Sequence, residues 1–498
     1  MSKNKNISES ERYFKSFRKS VIGYKHKIKT PYGKKDLIYA DWTASGRLYK
    51  PIEKTITESM GPFVANTHTE SSATGTMMTL AYQKSRQIIR EHVHAGEDDV
   101  VLSDGSGMTR VVNKFQRILG LRLPDNLIDK IEIPELERPV VFVTHMEHHS
   151  NHTSWQETIA DVVVVPPDEN GLVCIEHFKK IAEQYKERKT KYAAVTACSN
   201  VTGIMPCCRE IAVYMHKIGG YCFVDYACSA PYVDIFMRTD KPDEKFDAIY
   251  FSPHKFLGGP GSSGILVFDR NLYHNRIPDA PGGGTVTWTD AWGDRIYFDD
   301  IELREDGGTP AFLQTIKAAL AILLKEKMDV KKMMEREEEL LQIIFSELSN
   351  IPNLHILASS VTERLGVISF YIEDLHYNLG VRLLSDRFGI QIRGGCVCAG
   401  TYGHYLFELS RELSDQLQER VMKGELSAKP GWIRLSIHPV MTNEETYFIC
   451  NAIKELAENF NEWKNDYVYD EPSNEFRYKN GWKYETNTIN NWFNSEYL

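Results

Sequence analysis

From about Arg138 onward the chain alternates short β-branched runs with amphipathic stretches at helical spacing, a rhythm that confines it to βαβ units and a mostly parallel sheet. The runs VVFVTH, DVVVVPP, YAAVTACS and YCFVDYA read as strands. Between the last two, CCREIAVYMHKIGG follows Pro206 and closes on a glycine pair, which predicts the helix of a right-handed crossover. AIYFSPHK and SSGILVFD continue the sheet after Asp247. A helical pattern from about Pro310 to Leu348 then leads to a smaller α/β lobe. That lobe holds VISFYIE, a helix near Gly380 to Phe388, IQIRGGCVCAG, WIRLSIHP and a final helix from Thr442. Beyond about Asn461 the tail is rich in Trp, Tyr, Asn and Glu and shows no periodicity. The expected organisation is an N-terminal segment (1–35), a large domain (36–310), a connector helix with a small C-terminal α+β domain (311–460), and an aromatic-rich tail (461–498).

Composition narrows the class of ligand. A chain of 498 residues that is 42% hydrophobic can bury a sizeable core, and no apolar run approaches the ~18 residues of a membrane span. Its 59 Lys+Arg against 68 Asp+Glu leave a net charge of −9, which gives no electrostatic reason to expect nucleic acid or an anionic membrane as partner. A small molecule is expected instead. The charged opening MSKNKNISESERYFKSFRKS lacks the apolar core of a secretory signal, so a cytoplasmic location with reduced thiols is expected. The nine cysteines are scattered without a paired CxxC framework, so a special one should be catalytic.

Three segments carry chemistry. In FSPHKFLGGPGSSG, Lys255 follows a strand and precedes a glycine-rich turn, while Asp225 ends the run YCFVD. A lone strand-end lysine is commonly a solvated residue. An acid and a base at the carboxyl ends of two strands, however, can face one crevice of a doubly wound sheet. An aldehyde cofactor needs that pair: a lysine for its Schiff base and a carboxylate for its pyridine nitrogen. In SDGSGMTRVVNKFQRIL a glycine-rich loop runs into a helix at about Met108, where free N–H groups with the Ser103 and Ser106 hydroxyls suit a phosphate monoester. Arg110 stands where a dinucleotide fingerprint needs its last glycine. The third segment, VFVTHMEHHSNHTSW, packs His145, His148, His149 and His152 around Glu147. Its spacing fits neither H-E-x-x-H nor H-x-x-E-H, which argues against a metal site. A polar surface loop and an imidazole stacked on a flat cofactor ring are the other readings.

EHHSNH followed by Trp, then SNVTG, VDYACSA, SPHKFLGGPGSSG, RGGCVCAG and RLSIHP with TNEE together resemble the motif series of class V aminotransferase-fold enzymes, nearest the cysteine desulfurase and selenocysteine lyase branch. The likeness runs from about Tyr39 to Glu445. It implies the fold type I architecture of aspartate aminotransferase-like enzymes, pyridoxal 5′-phosphate as cofactor, and a homodimer with the active site near the subunit interface. It assigns Lys255 to the Schiff base, Asp225 to the pyridine nitrogen and His148 to stacking on the ring. Asn200 would approach the phenolic oxygen, and Ser106, Gly107, Ser252 and His254 would hold the phosphate. Thr309 of GGTP matches the motif lent across the dimer to the neighbouring phosphate, and Arg434 matches the arginine that receives the substrate carboxylate.

The segment IRGGCVCAG matches the R-x-G-x-x-C-A pattern of second-group desulfurases through Arg393, Gly395, Cys398 and Ala399. Cys398 is therefore the candidate nucleophile that attacks the substrate sulfur and becomes a persulfide, with a small packed residue as the alternative. Cys396 is either its relay partner or a packing residue. The implied reaction releases alanine from L-cysteine or selenocysteine, with a sulfur-acceptor protein as possible partner; an aminotransferase, an epimerase or another amino-acid lyase is the alternative. Cys228 departs from the pattern, since the family carries a glutamine there beside the cofactor's oxygen. So does the long segment between Cys398 and Arg434, a lid or a partner surface.

Overall fold

The computed structural model describes residues 7–128 and 130–495. The ends of the expected N-terminal segment and of the tail lie outside them. A seven-stranded sheet runs in the order Asp99–Asp104, Gly264–Asp269, Ala248–Phe251, Tyr221–Asp225, Lys191–Thr196, Val140–Thr144, Asp161–Val165. The last five strands pair in parallel, while Gly264–Asp269 is antiparallel to both its neighbours. The mostly parallel sheet read from the sequence is thus present, with an antiparallel turn at one edge. Val140 to Val143 are fully buried, as expected of strands covered on both faces, and each such side chain contributes about 1.5–3 kcal/mol by leaving water. The predicted crossover helix is Cys208–Lys217.

A four-stranded antiparallel sheet forms the smaller lobe, ordered Leu354–Ile356, Val367–Ile372, Trp432–Ser436, Arg393–Gly395. The N-terminal stretch returns to this lobe. Ile38–Tyr39 pairs in parallel with Ile390–Gln391, and Asp41 bridges to Ser436. That pairing brings Asp41 beside strands more than three hundred positions later in the chain.

Two expectations need correction. The pattern from Pro310 to Leu348 is two helices, Phe312–Met328 and Val330–Leu348, separated by Asp329 at φ 65°. The Asp329 carboxylate accepts from the Lys332 N–H and caps the second helix, so the acid stops one helix and starts the next. The tail is also ordered rather than aperiodic. The helix Asn443–Trp463 begins with a Thr442–Glu445 capping box. It is followed by a hairpin of Tyr467–Asp470 with Glu475–Tyr478, and a further helix, Tyr484–Trp492, lies in the tail. Buried Tyr467 donates to Asp386 at 2.9 Å and so fastens the hairpin to the helix Tyr377–Phe388. Among the described residues no helix is long and apolar enough to cross a membrane.

Candidate active site

Strands of the large sheet end along one edge, and a cavity of about 920 Å³ opens there, lined by Thr196, Asp225 and Ser252 from three strand ends. Asp225 is 3% exposed and accepts from the Ala227 N–H at 2.8 Å. Burial pushes its carboxyl up to about 6, against the pull of the Lys255 ammonium. Lys255 ends a 3-10 turn, Pro253–Lys255, that projects its amine into the same cavity. Burial lowers its pKa although Cys228 and Asp225 favour the charged form. A lysine so placed is closer to the neutral, nucleophilic amine.

The glycine-rich loop lines the same cavity through Gly105, Ser106 and Gly107. Gly107 precedes the helix Met108–Ile118, and the Met108 N–H donates to Ser252 Oγ at 2.8 Å. A Cβ on Gly107 would lie 3.1 Å from Ser252 Oγ and 3.4 Å from the His254 ring, which leaves a cradle between them. Gly264 permits the close approach, since a Cβ there would fall 2.3 Å from the Gly107 carbonyl oxygen. Ser106 and His254 line the cavity as well, and burial lowers His254 to about 4. Ser103 does not join them: its hydroxyl accepts from Thr315 Oγ1 at 2.8 Å, because alternate strand residues face opposite sides of the sheet. Thr309 is exposed on the loop before Phe312 and does not line this cavity.

The four histidines separate into different tasks. His148 lines the cavity, its Nδ1 accepts from the Ser150 N–H at 3.1 Å, and burial beside Lys255 lowers its pKa to about 3. His145 packs edge-on against Tyr402 and Tyr405. His149 Nε2 accepts from the Gly400 N–H at 2.9 Å, and His152 pairs with Thr401 at 3.1 Å, so both fasten the Cys398 loop. Glu147, the acid among these histidines, anchors the turn. It accepts from Thr144 Oγ1 at 2.7 Å, the Thr196 N–H at 2.9 Å and Asn151 Nδ2 at 2.7 Å, and burial pushes its carboxyl up to about 8. Among the described residues no group of three or more His, Cys, Asp or Glu side chains is gathered as metal ligands.

Cys398 lines the cavity and is itself exposed, although its neighbours Val397 and Ala399 are buried. Val397 and Cys398 both have positive φ, 42° and 60°, in the left-handed region that costs a non-glycine residue about 1–3 kcal/mol. Neighbours hold that conformation: the His149 N–H donates to the Cys398 carbonyl at 2.7 Å, and Asn200 Nδ2 donates to the Val397 carbonyl at 2.7 Å. Asn200 is 6% exposed, and its Oδ1 has no partner. Arg434, 3% exposed, donates from Nη1 to the Asn200 carbonyl at 3.0 Å and from Nη2 to Asp41 at 2.8 Å, while its buried Nε is unpartnered. Arg393 donates from Nε to the other Asp41 oxygen at 3.1 Å. Asp41 was missed in the sequence, where nothing marks one acid in ADWTASG as the partner of two distant arginines.

The cavity therefore brings together the Lys255 amine, the buried Asp225 carboxylate, the cradle at Gly107, Arg393 and Arg434, and the Cys398 thiol. The cradle at Gly107 and the unpartnered Asn200 Oδ1 and Arg434 Nε fit a phosphorylated aromatic aldehyde together with a carboxylate substrate. Similar proteins bear on this arrangement. The chain is 28% identical over 367 residues to a probable cysteine desulfurase of Halalkalibacterium halodurans, covering 73% of this chain and 84% of that protein. A probable cysteine desulfurase of Staphylococcus epidermidis is 27% identical over 370 residues, with the same coverage. Among solved structures, the apo cysteine desulfurase of Thermococcus onnurineus superposes with a TM-score of 0.70 at 20% identity, over 92% of this chain and all of that one. The cysteine desulfurase CsdA of Escherichia coli, in an S-sulfonic acid form, gives 0.69 at 18%, over 91% and 99%. These superpositions establish a shared fold. A family model for aminotransferase class V matches residues 38–447, most of the chain, and this protein belongs to that family.

Proposed function

We propose that this protein is a pyridoxal 5′-phosphate-dependent lyase of the cysteine desulfurase type, which takes sulfur from L-cysteine, or selenium from selenocysteine, onto Cys398 and leaves alanine. The observation that carries this reading is that Lys255, Asp225 and Cys398 line one cavity. When bound, the cofactor supplies an electron sink for bond breaking at the substrate's Cα and Cβ.

The chain's own residues supply the rest. Asp225 would hold the pyridine nitrogen with its proton, and the neutral His148 ring would hold the face of the cofactor ring. Ser106, Gly107, Ser252 and His254 hold the phosphate at the start of the Met108–Ile118 helix. Asn200 meets the phenolic oxygen. The free Nε of Arg434 and the remaining N–H groups of Arg393 receive the substrate carboxylate. Lys255, released as a neutral amine, takes the Cα proton and later returns it. The Cys398 thiolate forms a bond to the substrate sulfur as the Cβ–S bond breaks, and it is left as a persulfide. Its exposure suits onward transfer to a thiol reductant or to an acceptor protein in the cytoplasm. Two copies pair so that Thr309 of each reaches the phosphate of the other.

The deciding measurement adds L-cysteine and a reductant to the purified yellow holoenzyme and quantifies alanine and sulfide together. Equal release of both, lost in Cys398→Ala, is expected. A yellow protein that releases neither overturns the desulfurase reading in favour of an aminotransferase, an epimerase or another lyase.

A further inference from the structure

A second pair of thiols stands in the wall of the same cavity. The strands Lys191–Thr196 and Tyr221–Asp225 are parallel neighbours with Thr196 opposite Asp225, so the loops carrying Cys198 and Cys228 leave the sheet side by side. Both cysteines line the cavity, and both are free and buried, at 1% and 5% exposure. Their Sγ atoms meet at one acceptor: Cys198 lies 3.6 Å and Cys228 3.7 Å from the Ser199 carbonyl oxygen.

Two thiols in an aliphatic wall would be inert packing. These two differ from each other. Burial drives the Cys198 thiol well up, whereas Cys228 is held below the ordinary thiol value by the hydrogen bond from Cys198 and by the charges of Lys255 and Arg434. Cys228 is thus the more readily ionised of the two, and Cys198, whose sulfur shares its acceptor, is placed to resolve what the first becomes. The proposed reaction uses neither cysteine, since Cys398 stands on a separate loop.

We propose that Cys198 and Cys228 form an oxidation site in the active cavity, where a peroxide closes them into an intramolecular disulfide that a dithiol reductant reopens. The Cys228 sulfur attacks hydrogen peroxide, an S–O bond forms as the O–O bond breaks, and the departing oxygen leaves as water. Cys198 then attacks the resulting sulfenic acid; the S–S bond forms, the S–O bond breaks, and a second water leaves. The two thiols lose two electrons and peroxide gains them. Closure replaces two free thiols in the cavity wall that Lys255 also lines, and it does so whichever amino acid the enzyme turns over.

The holoenzyme is treated with a small excess of hydrogen peroxide, unfolded in iodoacetamide, digested without reduction and mapped by mass spectrometry. A peptide bridging Cys198 to Cys228, two hydrogens lighter than its parts and opened by dithiothreitol, is expected in the wild type and in Cys398→Ser. In Cys228→Ser, Cys198 should be recovered alkylated. Recovery of both cysteines alkylated while Cys398 alone is oxidised overturns the proposal, as does a bridge from Cys228 to Cys398. Should Cys228→Ser not fold, the wild-type and Cys398→Ser maps decide the matter by themselves.

Discussion

The two sides of the cavity are built on different physical terms. Lys255, Asp225 and the Gly107 cradle sit on strand ends or on turns locked to them, and burial shifts the proton affinity of the lysine and of the carboxyl. Cys398 is an exposed side chain on a loop with two consecutive left-handed residues. Just beyond it, the helix Arg411–Met422 buries no residue. A rigid wall suits a cofactor that must be held in one pose. A loop fixed by a few hydrogen bonds suits a sulfur that must meet the substrate and then a partner.

The most severe challenge to that contrast is Lys255→Ala. Turnover should fall by about 10²–10⁴-fold or more, the range for losing a proton-transfer group, and the visible band should vanish from the spectrum. Cys398→Ala should remove sulfide release just as completely while leaving the band unchanged; a lost band would mean the two sides are not separable. Asp41→Asn tests the arginine clamp between them. Weakening one charge-assisted hydrogen bond should raise KM for L-cysteine about tenfold and spare kcat, measured by steady-state kinetics.

Smaller effects concern stability. Glu147 retains its proton up to about 8 in the folded chain and to 4.5 in an ordinary setting, so the unfolded state releases it first and the fold loses stability as pH rises between those values. Glu147→Gln has no such titration, and thermal melts across this window should show a shallower fall than the wild type. Replacing 409–428 with a short linker should shift Tm by less than about 4 °C, since no buried side chain is lost with that helix.

What the sequence revealed follows the same division. Strands, Lys255 and Asp225 were legible because β-branched runs and strand-end residues carry local signals. The break at Asp329 was not, because an acid between two helical patterns looks like one more polar face until its φ and its cap are known. The hairpin at Tyr467–Tyr478 was hidden by its brevity, with strands of four residues each. Asp41 was out of reach for another reason: its meaning lies in Arg393 and Arg434, which the fold brings to it from the far end of the chain. The separate attachments of the histidine cluster could not be read from spacing, because side chains this close in sequence leave a turn in divergent directions and meet partners far along the chain.

His148 and His149 are joined by a single peptide. The first ring faces the cavity, and the second residue grips the Cys398 loop through the Cys398 carbonyl and the Gly400 N–H. Whatever fixes the His148 ring therefore also bears on the dipeptide that holds the Cys398 loop in its strained form. Occupancy of the cavity at His148 and order in the Cys398 loop would then be linked, each favouring the other by the same free energy. The protein would hold Cys398 most firmly when a ligand lies against the His148 ring.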